Sequence, residues 1–254
     1  MKLSPTAKTT RRIFTSLAVA AGCTVATHGA VISLIPTLDN SIYSESNNSN
    51  ALGGLFTGQT VGGTTRRALL EFDIAGSIPA GATIDSVVLT LSQIKIGPAA
   101  SAVFELHPVL AAWGEGTSSG TGAGGIATPG DATWNSRLFG TAAWTVAGGD
   151  FSATVATTSF GTSNIAYSFT STTGMIANVQ SWLNSPSTNF GWIMKDASET
   201  VTSARELGSS ESAPGQQPTL TVTYTVPEPG TAGLLGIAAI FASTRRLRSR
   251  KHTR

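Results

Sequence analysis

Residues 219–226 read TLTVTYTV. Leu220, Val222, Tyr224 and Val226 point to one side of an extended chain, and Thr219, Thr221, Thr223 and Thr225 to the other. That period of two specifies a strand with one wet face. The same alternation recurs upstream. Leu70, Phe72 and Ile74 alternate with Glu71 and Asp73, and Val87, Leu89 and Leu91 with Val88, Thr90 and Ser92. Phe104 and Leu106 flank Glu105, while Phe190, Trp192 and Met194 alternate with Gly191, Ile193 and Lys195. Turn-forming gaps such as Ile78-Pro79-Ala80-Gly81 and Gly97-Pro98 separate these runs. Many short strands joined by Gly, Ser and Thr loops predict an all-β protein, an antiparallel sandwich or jelly roll.

One stretch carries a helical period instead. Ile176, Val179 and Leu183, with Trp182 beside them, are preceded by Gly174 and stopped by Asn184-Ser185-Pro186. This predicts a short helix capping one end of the sandwich. The Gly-rich stretch from Glu115 to Gly130 is expected to be a long, flexible surface loop. It lacks the helix and the Lys-Ser/Thr pair that a phosphate cradle needs. Asp39 to Val226 shows neither a repeat nor a low-complexity linker, so one domain is expected over 31–226.

The two ends read differently from the body. MKLSPTAKTTRR carries four positive charges and no acid, and Ile13 to Ala26 is apolar with small residues near Ala26 and Ala30. A charged start, an apolar stretch and a small-residue cut site make residues 1–30 a signal peptide that engages the export machinery. Thr10-Arg11-Arg12-Ile13-Phe14 resembles a twin-arginine signal, which would imply export in the folded state. A lipoprotein reading of Ala20-Ala21-Gly22-Cys23 is weaker, because Ala20 stands where a larger aliphatic residue is usual.

At the other end, Pro227-Glu228-Pro229 is followed by an uncharged run, Gly230 to Ser243, and a basic tail that includes Arg245, Arg246 and Arg248. The prolines keep a strand or helix from running through. As a helix the run would be about 21 Å long against a hydrocarbon core of about 30 Å, a marginal transmembrane helix. It would need a thinned bilayer or snorkelling arginines as its membrane stop. The basic tail favours a cytoplasmic end.

Charge separates body from ends. The net charge is +2, but only six of the 16 Lys and Arg lie between Val31 and Val226, together with 13 of the 14 acids, so the body carries −7. A body of that charge cannot offer the broad basic patch that binding a nucleic-acid backbone requires. The single cysteine, Cys23, lies in the leader, which excludes disulfides, thiol nucleophiles and Cys-ligated metals from the body. His107 is its one histidine. Histidine metal clusters are excluded by count, and a structural or surface role for His107 is favoured over a triad. A structural calcium, found in sandwich modules by analogy, has no spaced Asp loop to hold it and stays unassigned. No other cofactor is indicated.

The composite of Val226-Pro227-Glu228-Pro229-Gly230, the apolar run and the arginine cluster resembles a PEP-CTERM sorting signal over 227–254. The resemblance implies recognition and removal of the tail by an exosortase-type membrane protease, in cells that usually also make extracellular polysaccharide. The body resembles a DNRLRE-type domain, related to disaggregatase-like and carbohydrate-binding sandwich modules. The residues are Asp39-Asn40-Ser41-Ile42-Tyr43, Arg67 to Ile74, Ile78 to Ile84, Trp113-Gly114-Glu115-Gly116, Ala132-Thr133-Trp134-Asn135, Val179 to Leu183, Ser209-Ser210-Glu211 and Pro218 to Tyr224. It implies a jelly-roll β-sandwich used as an accessory or surface module, in some members to bind glycans.

Five tryptophans offer flat rings of the kind that stack on sugars. Trp182 and Trp192 lie on apolar faces and are expected in the core. Trp113 and Trp134, with Glu115 and Asn135 alongside, either touch a glycan or pack and fix loops. Trp144, in a polar Gly-rich loop, is expected to be an exposed ring. The leading expectation is an exported, non-catalytic envelope or matrix protein with a structural or adhesive role. A carbohydrate-binding module for extracellular polysaccharide is the alternative. A glycan-cleaving enzyme using two carboxylates is the third reading, although nothing in the sequence singles out a pair.

Overall fold

A computed structural model describes residues 27–97 and 99–227. The leader, the apolar C-terminal run and the basic tail lie outside the described residues, as do Glu228 and Pro229. The deciding stretch forms β15 (Thr219–Pro227), with Leu220 and Val222 fully buried and the alternating threonines half-buried. Tyr224 and Val226 pack partly buried against the same core. β15 pairs antiparallel with β1 (Thr27–Leu34) and with β6 (Thr83–Ile96).

The long strand β6 buries Val87, Leu89 and Leu91, the inward set the alternation predicts. Ile84 is also inward although it lies three positions before Val87. A register shift opposite Thr223 and Tyr224 absorbs the extra residue, as a β-bulge does. β12 (Ala166–Phe169) pairs with β6 at Leu89–Ser92. These four strands make one layer.

The other layer holds β2 (Leu38–Tyr43), β5 (Thr65–Glu71), β13 (Trp192–Asp196), β7 (Ala102–Pro108) and β11 (Ala156–Phe160), each antiparallel to the next. β14 (Arg205–Leu207) and β4 (Leu55–Gln59) join the layers, since β14 pairs with both β6 and β4, and β4 with β5. Val87, Leu89, Leu91, Leu220 and Val222 of the first layer share one buried cluster with Leu70, Phe104, Leu106, Trp192 and Met194 of the second. The architecture is a sandwich-like, mostly β fold built on a large antiparallel sheet.

The helix appears as α2 (Thr173–Asn184), after a four-residue turn α1 (Ile74–Ser77). The Thr172 hydroxyl accepts from Met175 N at 3.1 Å, satisfying one of the open amides of the first turn. Met175, Val179, Trp182 and Leu183 face the core. Gln180 fixes the helix to the start of β6 by accepting from Ile84 N at 2.9 Å and donating to Ala82 O at 3.1 Å. Trp182 and Trp192 meet edge to face with centroids 4.6 Å apart, in the core as expected.

Three expectations need correction. The alternating run through Ile74 is not one strand. β5 stops at Glu71, and Asp73 turns the chain by accepting from Gly76 N at 2.9 Å, although Leu70, Phe72 and Ile74 are all buried. Secondly, the opposite face of β13 is not wet. Ile193 is buried in a second cluster with Ile42, Leu69, Val109, Trp113, Ala132 and Trp144. Thirdly, the chain from Val109 to Phe151, expected to include an open loop, covers that outer face. Its Gly-rich part is pinned: β8 (Gly125–Ile126) pairs with β3 (Asn48–Ser49), Gly120 N donates to Asn50 Oδ1 at 2.7 Å, and Arg66 Nε donates to Gly122 O at 2.8 Å.

Candidate functional site

Asp39-Asn40, Glu115 and Ser210-Glu211 are far apart in sequence and meet in space. Asp39 and Asn40 sit on β2, fully buried beneath the covering loop. Asp39 N donates to Glu115 Oε1 at 2.9 Å, and Asn40 Nδ2 to Glu115 O at 2.7 Å. Asn40 Oδ1 accepts from Ser41 N, Ser49 Oγ and Asn50 N, at 2.7 to 2.9 Å. Ser210 N donates to Asp39 Oδ2 at 2.6 Å, and Ser210 Oγ to Glu211 Oε1 at 2.8 Å.

Asp39 Oδ1 is buried without a hydrogen-bond partner. Burial pushes the Asp39 carboxyl up to about 7, against the lowering effect of the Ser210 amide, and the charges of Glu211 and Glu115 add to the rise. Burial also raises Glu115. This junction therefore favours the protonated form of a buried carboxyl more than water would, and it ties three chain segments together. Among the described residues no group of three or more His, Cys, Asp or Glu side chains could hold a metal ion.

Beside it, Gly116 has φ +75°, and a Cβ there would collide with the Asp131 carboxylate. That carboxylate holds the loop by accepting from Thr128 N at 2.6 Å. A glycine is required on both counts.

Trp113 is 5 % exposed and donates from Nε1 to Phe190 O at 2.9 Å. Trp144 is 6 % exposed and donates to Thr133 O at 2.9 Å, so the expectation of an exposed ring there is corrected. Its loop is closed by Asp150, which accepts from Thr145 N and Val146 N, both at 2.9 Å. The polar composition concealed that closure. Trp134 is half-buried, and the Arg67 guanidinium lies 4.6 Å from its ring centroid, so that cation covers one ring face. Asn135 is exposed and donates to Asn47 Oδ1 at 3.0 Å. The fold thus places Trp113, Trp134 and Trp144 in one loop layer, Glu115 at its junction with β2 and Asn135 at the surface.

Arg67 was not among the expected site residues. It makes a fork with Glu199, Nε to Oε1 at 2.8 Å and Nη2 to Oε2 at 2.7 Å, and its Nη1 donates to Gly148 O at 2.7 Å. His107 is buried. Its Nδ1 lies 2.8 Å from Ser152 O and its Nε2 3.2 Å from Glu105 Oε2, which ties β7 to the segment leading into β11.

A groove of about 600 Å³ opens next to the Gly-rich loop, lined by Phe56, Val61, Arg66, Lys95, Gly122 and Glu206 among others. Three cations and an aromatic edge share it with one acid, although Arg205 is buried and Arg66 is paired with Glu45 at 2.8 Å. Neither Arg66 nor Lys95 was singled out in sequence, because the groove brings together strands that are far apart in the chain.

At another corner of the fold β15 runs out toward the C-terminal signal. Thr225 is the last residue of β15 that pairs with β6; Val226 and Pro227 pair with β1 alone, opposite His28 and Thr27. Among the described residues no helix is long and apolar enough to cross a membrane.

Comparison with protein families finds the PEP-CTERM protein-sorting motif at residues 225–249. That span takes in Pro227, Glu228 and Pro229, the apolar run, and Arg245, Arg246 and Arg248. No curated protein matches the chain.

Proposed function

We propose that this is an exported, non-catalytic protein of the cell envelope or extracellular matrix, with a structural or adhesive role. The sorting motif at residues 225–249 carries the reading, because such a signal marks an exported protein handed to an exosortase-type membrane protease. The acidic body, with six Lys and Arg against 13 acids, suits a soluble module outside the membrane. The tail would hold the protein in the membrane until the protease acts. The sandwich itself is proposed to be a jelly roll of the DNRLRE type. Asp39, Glu115 and Ser210 support this reading, since they come from three separate pieces of that resemblance and are joined by hydrogen bonds.

The test is location. Cells making the full chain and a variant ending at Val226 are fractionated into membrane, matrix and medium. The full chain is expected in the envelope or matrix and the shortened chain in the medium. Identical distributions would remove the sorting role.

A second reading, binding of polysaccharide, is favoured by the groove at Phe56, Arg66 and Lys95. Its exposed Lys95 suits an acidic glycan, Arg66 being held by Glu45, whereas buried Trp113 and Trp144 offer no open stacking face. Affinity electrophoresis in anionic and neutral polysaccharides tests it. Retardation by the anionic gel that Lys95→Gln weakens would support it, and equal mobility in all gels would end it.

A further inference from the structure

We infer that the leader is cut after Ala26, not after Ala30, and that the freed segment Thr27–Ala30 is a latch that holds the start of the sorting motif in the sheet. This rests on the export reading above and adds where the chain is cut and what the cut leaves behind.

The register carries the argument. Thr27, His28, Gly29 and Ala30 pair with Pro227, Val226, Thr225 and Tyr224 in turn. A cut after Ala30 would remove four of the eight residues of β1. The half left behind, Val31 to Leu34, would still pair with Thr223 to Leu220, and Ile32 and Leu34 would still pack against the core. The half removed is the part that meets the motif. The matched motif begins at Thr225, so its first three residues are already strand residues. β6 reaches only as far as Thr225, which leaves Val226 and Pro227 to β1 alone.

The sequence around the two alternatives agrees. A cut after Ala26 has Thr24 and Ala26 at the third and first positions before the bond, both small. A cut after Ala30 puts the imidazole of His28 at the third position, where a small side chain is required.

The consequence concerns the protease. Thr27 and Pro227 are directly opposed, so the two ends of the folded body leave it about 5 Å apart, from one corner. With the latch present, Thr225–Pro227 is extended and paired in the sheet, which withholds every residue through Pro227 from a protease cleft. Without it, Val226 and Pro227 lose their strand partner and the accessible segment begins earlier. The latch therefore sets how close to the body the tail is cut.

Intact mass and N-terminal sequencing of the protein from its native cells decide the matter. The expected N-terminus is Thr27. An N-terminus at Val31, in an exported protein, overturns the inference and leaves export standing. Retention of Met1 with the protein inside the cell overturns the export reading instead. A second variant of the full chain lacks Thr27–Ala30, with Ala26 joined to Val31. It is expected to melt about 5 °C lower once processed, and its C-terminal cut is expected to spread toward the body. An unchanged melting point and an unchanged C-terminus would show that the segment is no latch.

Discussion

Replacing Arg67 with Met is expected to loosen the whole loop layer. The Arg67 side chain is 11 % exposed and its partner Glu199 19 %, so the fork between them is largely shielded from water. The substitution keeps the apolar stem but removes both charge-assisted bonds to Glu199, the bond to Gly148 O and the cation over Trp134. Removing one partner of a buried pair costs about 3–5 kcal/mol, because the other charge stays desolvated. The lost guanidinium–ring contact adds about 0.5–2 kcal/mol. Residual exposure of Glu199 keeps the total near the low end, about 3 kcal/mol. For a domain of this size that is a melting shift of roughly 10 °C. The assay is urea unfolding of the wild type, Arg67→Met, Glu199→Gln and the double variant. A coupling of about 1.5 kcal/mol or more is expected from the cycle. A loss below about 1 kcal/mol for Arg67→Met, with coupling near zero, would make the fork an ordinary surface pair and refute the reasoning.

Gly116→Ala should lower stability by about 2–4 kcal/mol, from left-handed backbone strain and the displaced Asp131 carboxylate, and denaturant melts check it. Trp113→Phe should cost about 1–2 kcal/mol by leaving Phe190 O without its donor, and should leave the far-ultraviolet spectrum unchanged. Burial raises Glu71 to about 7 and Asp39 to about 7, so the folded state binds protons that the unfolded chain has already released. Stability should therefore fall as pH rises from about 4.5 to about 7 and level off above that. Glu71→Gln should reduce that slope in melts taken from pH 4 to 8, and a slope of the opposite sign would contradict the burial argument.

The sandwich was legible because its inner faces follow simple rules. The alternation at Leu220 and Val222, at Val87 to Leu91 and at Phe104 and Leu106 matches the buried set, and the spacing of Val179 and Leu183 gives the helix. β1 was hidden because its first half, Thr27 to Ala30, lies in the stretch read as the leader's cut region, directly after the apolar run. The second core was hidden for a different reason. Ile193 and Leu69 read as the outward set of their strands, and only a covering loop buries them. That loop is rich in Gly, Ser and Thr, and its order comes from side-chain bonds such as those of Asn40, Asp131 and Asp150, which no periodicity reports. The pairing of Arg67 with Glu199 spans 132 positions and is equally silent in sequence.

The sorting account stands or falls on the C-terminus of the protein as its own cells deliver it. Peptide mapping of the envelope and matrix fractions by mass spectrometry reads it directly. The account predicts a body that ends shortly after Pro227, with the apolar run and every residue through Arg254 gone. A chain found in the membrane with Arg254 still attached would contradict it.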